Sequence, residues 1–119
     1  MPYIKSNDDR RKKLRNGEPA LNAGELNYQI FYYVKHNYGV FPTQYLILDI
    51  KGFVEQFLGA NPNYQKYNDM TGVLVRCYKE IKRRLGYYFK KEFEEIMESY
   101  DDEINKYEDT KIIENGDVE

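Results

Sequence analysis

An all-α fold is what this sequence predicts: a three-helix domain with a long C-terminal helix and an irregular N-terminal arm. Three observations predict it. Apolar residues recur at steps of three and four from Met70 to Tyr107, the spacing that puts side chains on one helix face. Asn22, Gly39, Pro42 and Gly59 bracket two further stretches with residues that start or stop helices. Residues 45–50 can also be read as a strand, but the spacing of Phe53, Val54 and Phe57 that follows favours helix.

Residues 1–21 carry Pro2, Gly17 and Pro19 without a sustained period, so they read as a mostly irregular arm with a short turn of helix over residues 8–14. Asn22 is an N-cap with Glu25 at the third helical position, a capping-box-like start. The first helix then covers residues 23–37, with Leu26, Ile30, Tyr33, Val34 and Tyr38 on its apolar face. Gly39 and Pro42 end it. Thr43 caps the second helix, residues 44–58, which stops at Gly59. That helix is apolar nearly all round, which predicts burial from more than one side.

A loop over residues 60–67 leads to Asn68 or Asp69 as the cap of the third helix. Unbroken to Lys106, this helix would span about 55 Å. Gly86 lies inside it at a cost of about 1 kcal/mol relative to Ala. The apolar stripe keeps its phase across Gly86, so continuity or a mild bend is expected. Residues 22–112 form the helical core on this reading. Residues 113–119, with the Asn115–Gly116 turn signal, form a loose acidic tail. Beyond Gly86 the stripe holds Phe93, Ile96, Met97, Tyr100 and Ile104, more than a small protomer is expected to cover. These five are therefore the expected interface of a homo-oligomer, a symmetric dimer or small ring.

A length of 119 residues sets one domain, and 41% hydrophobic with 32% charged residues describes a globular chain. No apolar run is long enough for a bilayer, and the N-terminus lacks a signal-peptide core, so a cytoplasmic location is expected. Cys77 is the single cysteine, which excludes an internal disulfide, and His36 is the single histidine, which leaves no His/Cys zinc set. No cofactor is expected.

The net charge of −2 hides segregation. Six basic residues stand in 1–15 and seven in 76–91, the latter against Glu80 alone, while residues 92–119 carry twelve acidic side chains. Such blocks neutralise one another or meet a partner. Within the second basic block, Lys82, Arg83 and Arg84 precede Tyr87 and Tyr88, a pairing suited to a phosphate beside an aromatic ring. The ordinary alternative is a solvated basic face paired with the acidic segment. Thirteen tyrosines likewise suit either base stacking or the boundary of a small core. The carboxylates from Glu94 to Glu103 read as a solvated face, since no EF-hand spacing is present. His36 suits the C-terminal end of its helix, and Cys77 reads as a small buried hydrophobe. There is no phosphate-cradling glycine loop, nucleophile elbow or metal motif, so the chain reads as non-enzymatic.

Several pieces resemble a group of small bacteriophage and prophage proteins of unassigned activity. They are Pro2-Tyr3-Ile4 with the basic run 10–13, Gly24-Glu25-Leu26-Asn27-Tyr28, Tyr64 through Asn68-Asp69, and Gly72-x-Leu74 with Glu80 and Arg83-Arg84. The last is Tyr107-Glu108-Asp109-x-Lys111-Ile112 with Glu114-Asn115-Gly116-Asp117-Val118. Between Arg84 and Tyr107 this chain departs from the group by an extra helical stretch. The resemblance implies a phage setting, in a host cytoplasm, and gives Glu25, Asn27, Tyr28, Arg83 and Arg84 roles beyond packing.

Three functions remain open on the sequence. The first is an accessory protein acting through helix-mediated self-assembly and partner binding. The second is an oligomeric binder of a nucleotide signal that counters host defence, using Lys82, Arg83, Arg84, Tyr87 and Tyr88. The third is a nucleic-acid-binding accessory protein.

Overall fold

The computed structural model describes residues 9–117. The opening Pro2-Tyr3-Ile4 and the closing Val118 lie outside them. Six helices and no strand occur among the described residues: α1 (Asp9–Arg15), α2 (Ala23–Asn37), α3 (Thr43–Leu58), α4 (Tyr64–Leu85), α5 (Lys90–Glu98) and α6 (Asp101–Asn115). The chain is all-helical, but the single long C-terminal helix does not form. Its stretch is three helices, cut at Gly86 and again at Ser99–Tyr100.

The first cut has a backbone cause. Gly86 sits at φ 75°, ψ 13°, left-handed, and its N–H donates to the carbonyl of Lys82. This is how glycine closes a helix, and residues with a Cβ resist it by about 1–2 kcal/mol. An unbroken apolar phase says only that both halves are amphipathic. It does not say that they share an axis. After the turn, α5 lies against α3 and α4. Phe93, Ile96 and Tyr100 are buried there, with Phe93 0% exposed and set edge-on to Tyr78. Met97 and Ile104 are half-buried against the same core. The five residues expected at a subunit interface thus pack within their own chain, because folding back at Gly86 supplies the cover that a straight helix would lack.

At the second cut Ser99 N–H donates to the carbonyls of Glu95 and Ile96 and Tyr100 N–H to that of Met97, and α6 starts afresh. Asp101, Asp102 and Glu103 fill its first turn, where carboxylates favour the positive end of the helix dipole. No α6 side chain is buried. The helix is held by Tyr107, whose hydroxyl accepts Tyr64 N–H at 3.0 Å, and by Glu103, which accepts the Tyr67 hydroxyl at 2.9 Å. Burial, with help from Glu103, pushes the Tyr67 hydroxyl up to about 12. The expected tail from residue 113 is still helical through Asn115.

The caps of the other helices follow the sequence in part. Asn22 accepts Glu25 N–H and opens α2 as expected, and α2 has the expected bounds. Pro42, rather than Thr43, precedes α3, and no side chain caps it. α4 begins at Tyr64, capped by Asn63 through Lys66 N–H, before the expected Asn68 or Asp69. α3 buries Leu46, Ile50, Val54 and Phe57 on one side only, leaving Tyr45 and Leu48 exposed, so its all-round apolar pattern does not mean all-round burial.

The arm carries the short helix expected near residues 8–14, as α1, and the rest of its described part is tied down rather than loose. α1 packs on α2 through buried Leu14, and Ala20 is buried in the connection that follows. Gln29 Nε2 donates to the carbonyls of Leu14 (3.0 Å) and Glu18 (2.8 Å), which fastens the end of α1 and the first part of that connection. α2 in turn packs on α3 and α4, so α1 has a fixed floor.

Candidate functional site

On one face of α2, Tyr28, Tyr32 and His36 follow at four-residue steps and stack. The first two ring centres are 5.9 Å apart and the second pair 4.2 Å. Residues four apart are neighbours on a helix, so this ladder follows from the α2 sequence alone. What covers it comes from α1. Arg11 lies 4.9 Å above the Tyr28 ring and Arg15 lies 5.0 Å from that of Tyr32. Arg15 Nε also donates to the Tyr28 hydroxyl at 2.7 Å, which raises the guanidinium pKa further.

α1 is held in this register by Arg10. Its Nε and Nη2 reach the two carboxylate oxygens of Glu25, both at 2.8 Å, and Nη1 reaches Glu18 at 2.9 Å. The Arg10 guanidinium, with Leu21 N–H, holds the Glu25 carboxyl below the usual carboxylate range. The Glu25 side chain therefore clamps α1 to α2 and does not line the cleft.

The third wall is the end of α4. Arg84 lies 4.5 Å over the Phe31 ring, and Glu80, 8% exposed, accepts from Arg84 (3.5 Å) and from Asn27 Nδ2 (3.3 Å). The cleft between these walls is open on one side and measures about 280 Å³. Arg11, Arg15, Lys35 and Arg84 line it together with Glu80, four cations to one carboxylate. Behind its inner wall, Asn27 is 3% exposed, and its Oδ1, closed off from solvent, has no hydrogen-bond partner among the described residues. A buried acceptor left unpaired costs about 1–3 kcal/mol.

A larger cleft of about 430 Å³ lies on the other side of Glu80, bordered by Asp69, Arg76 and Arg83. It has no aromatic ring, and its charges alternate in sign. The smaller cleft combines rings and converging cations, and it is the better candidate despite its size.

Of the residues singled out in the sequence, Asn27, Tyr28 and Arg84 meet in this cleft. Arg83 turns to the larger one. Tyr87 stacks on Tyr38, with ring centres 3.7 Å apart. Lys82 lies 5.6 Å from the ring of Tyr88, itself 75% exposed, on a notch beside Phe89. The basic run therefore spreads around α4 rather than forming one site. Arg11, Arg15 and Lys35 were not singled out. The Tyr28-x-x-x-Tyr32-x-x-x-His36 spacing was the signal available for the ring ladder. Cys77 is fully buried, and burial pushes its thiol up. No group of His, Cys, Asp and Glu among the described residues could hold a metal ion, and none of their helices is long and apolar enough to cross a membrane.

No family model, curated protein or solved structure matches this chain.

Proposed function

We propose that this chain is a non-enzymatic binding protein whose α1/α2/α4 cleft takes a small phosphate-bearing aromatic ligand of the nucleotide class. The observation that carries the reading is the Tyr28–Tyr32–His36 ladder overlaid by Arg11 and Arg15. A base stacked on such rings gains about 1–3 kcal/mol. Guanidinium groups beside it offer paired N–H donors to phosphate oxygens. Size decides between one nucleotide and a strand. At about 280 Å³ the cleft lies near the small end, roughly 300 Å³, of small-molecule sites. The net charge of −2 also disfavours a general nucleic-acid binder.

The phage setting implied by the sequence resemblance gives such a protein a role, the capture of a host nucleotide signal. Self-assembly through Phe93, Ile96 and Tyr100 loses its motive, because those side chains are already buried. Thermal unfolding with nucleoside mono-, di- and triphosphates tests the proposal. Ligand at a hundred times its Kd should stabilise the fold by about 2.7 kcal/mol. The effect should shrink with added salt. An unmoved midpoint across the whole series at millimolar ligand would refute it.

A further inference from the structure

Away from the cleft, the fold leaves one apolar tract bare. Residues 37–48, between His36 and Asp49, form the longest uncharged run in the chain. Within it Val40, Phe41, Tyr45 and Leu48 stand 69%, 49%, 55% and 63% exposed. Val40 and Phe41 belong to the α2–α3 connection, and Tyr45 and Leu48 continue the tract on α3. Gly52 follows four residues after Leu48, so Tyr45, Leu48 and Gly52 share the side of α3 turned away from buried Leu46, Ile50 and Val54. Glycine is, after proline, the poorest helix former, and a Cβ at Gly52 would meet nothing within 4 Å. Nothing among the described residues gives a reason for glycine there. A second helix lying close against it would.

We infer that two copies of the chain meet on this tract, α3 against α3 about a twofold axis. The inference is independent of what the cleft binds, since no α3 residue lines that cleft. Charge decides the partner. A charge pressed against this tract would lose water and gain no counter-charge, so the covering face must be uncharged as well. Beyond this run, the exposed large apolar side chains are isolated or paired: Leu21, Tyr64, Tyr88, and Ile112 with Ile113. The matching surface on this chain is therefore the same tract on a second copy, the self-complementary pairing of a twofold dimer. Area sets the strength. At about 200 Å² for a whole large side chain, the four expose roughly 450 Å² per copy. Two such faces with a polar rim bury close to the ~1,000 Å² at which specific interfaces begin. The dimer is accordingly weak, micromolar or looser.

Sedimentation equilibrium on the full chain, from micromolar to millimolar concentration, tests this. The weight-average mass should climb from 14.3 kDa toward twice that. High salt should leave the climb unchanged, because no charge holds the pair. Leu48→Lys sets like charges against each other near the twofold axis and should weaken the dimer at least tenfold. Its fold should be kept, since Leu48 lies outside the core, with far-ultraviolet circular dichroism as the check. Tyr45→Ser should loosen the dimer in the same direction and serves if Leu48→Lys does not fold. A mass fixed at one chain over the whole range overturns the inference, and so does a monomer that floats with neutral phosphatidylcholine vesicles instead. A dimer that salt dissolves, or that both variants leave intact, is held elsewhere and overturns it equally.

Discussion

Two regions of this molecule set cations beside aromatic rings, and they are built to opposite ends. In the α1/α2/α4 cleft, Arg11, Arg15 and Arg84 come from two helices onto the rings of Tyr28, Tyr32 and Phe31, which belong to a third. At the α4–α5 turn, Lys82 and Lys90 flank Tyr88 and Phe89, but there Phe89 and Phe93 are buried and serve the core. Proximity in sequence made the second region look like the site. Convergence in space makes the first one the better candidate. Lys82, Arg83 and Arg84 are consecutive on one helix and so point apart, whereas Arg11 and Arg15, four apart on α1, share a face and meet Arg84 from α4.

The comparison breaks or sharpens under four changes. Phe93→Ala, on the turn side, should destabilise the fold by about 3–5 kcal/mol in denaturant titration. It should leave nucleotide affinity of the folded fraction unchanged, since Phe93 packs away from the cleft. Arg15→Ala, on the cleft side, should reverse that pattern, with nucleotide affinity falling about tenfold and the unfolding midpoint little moved. Glu25→Gln removes the charge that fastens α1. A cost of about 1 kcal/mol is expected, kept low because glutamine keeps a hydrogen bond to Arg10 and the pair is only part-buried.

The same pair sets a pH dependence. The folded-state pKa of Glu25 lies below the unfolded value of about 4.3, so its contribution is complete above that value. It is lost as pH falls through the folded pKa. Unfolding followed from pH 6 to pH 3 should therefore show an acid loss that is smaller in Glu25→Gln. Lys82→Ala, at the turn, should change both stability and affinity by no more than about 0.5 kcal/mol.

Local signals were readable and long-range ones were not. Asn22 and Gly59 bounded their helices because a cap is a matter of a few neighbouring residues. Gly86 was readable as an exception inside a helix or as its end, and the apolar phase could not decide. A stripe records which side faces apolar matter, not whether that matter belongs to the same chain. The three acids from Asp101 to Glu103 were a usable sign of a new helix start. In the cleft, Asn27, Tyr28 and Arg84 stood out by type. Arg11 and Arg15 became site residues only once the Arg10–Glu25 clamp laid α1 on α2, a pairing across fifteen residues.

Amide chemical-shift mapping of the isotope-labelled chain, titrated with GMP, tests the central claim most directly. The account predicts the largest shifts at residues 11, 15, 27, 28, 32 and 84, saturating together with one Kd. Shifts concentrated at residues 82 and 87–91 instead, or no saturable shifts anywhere, would contradict it.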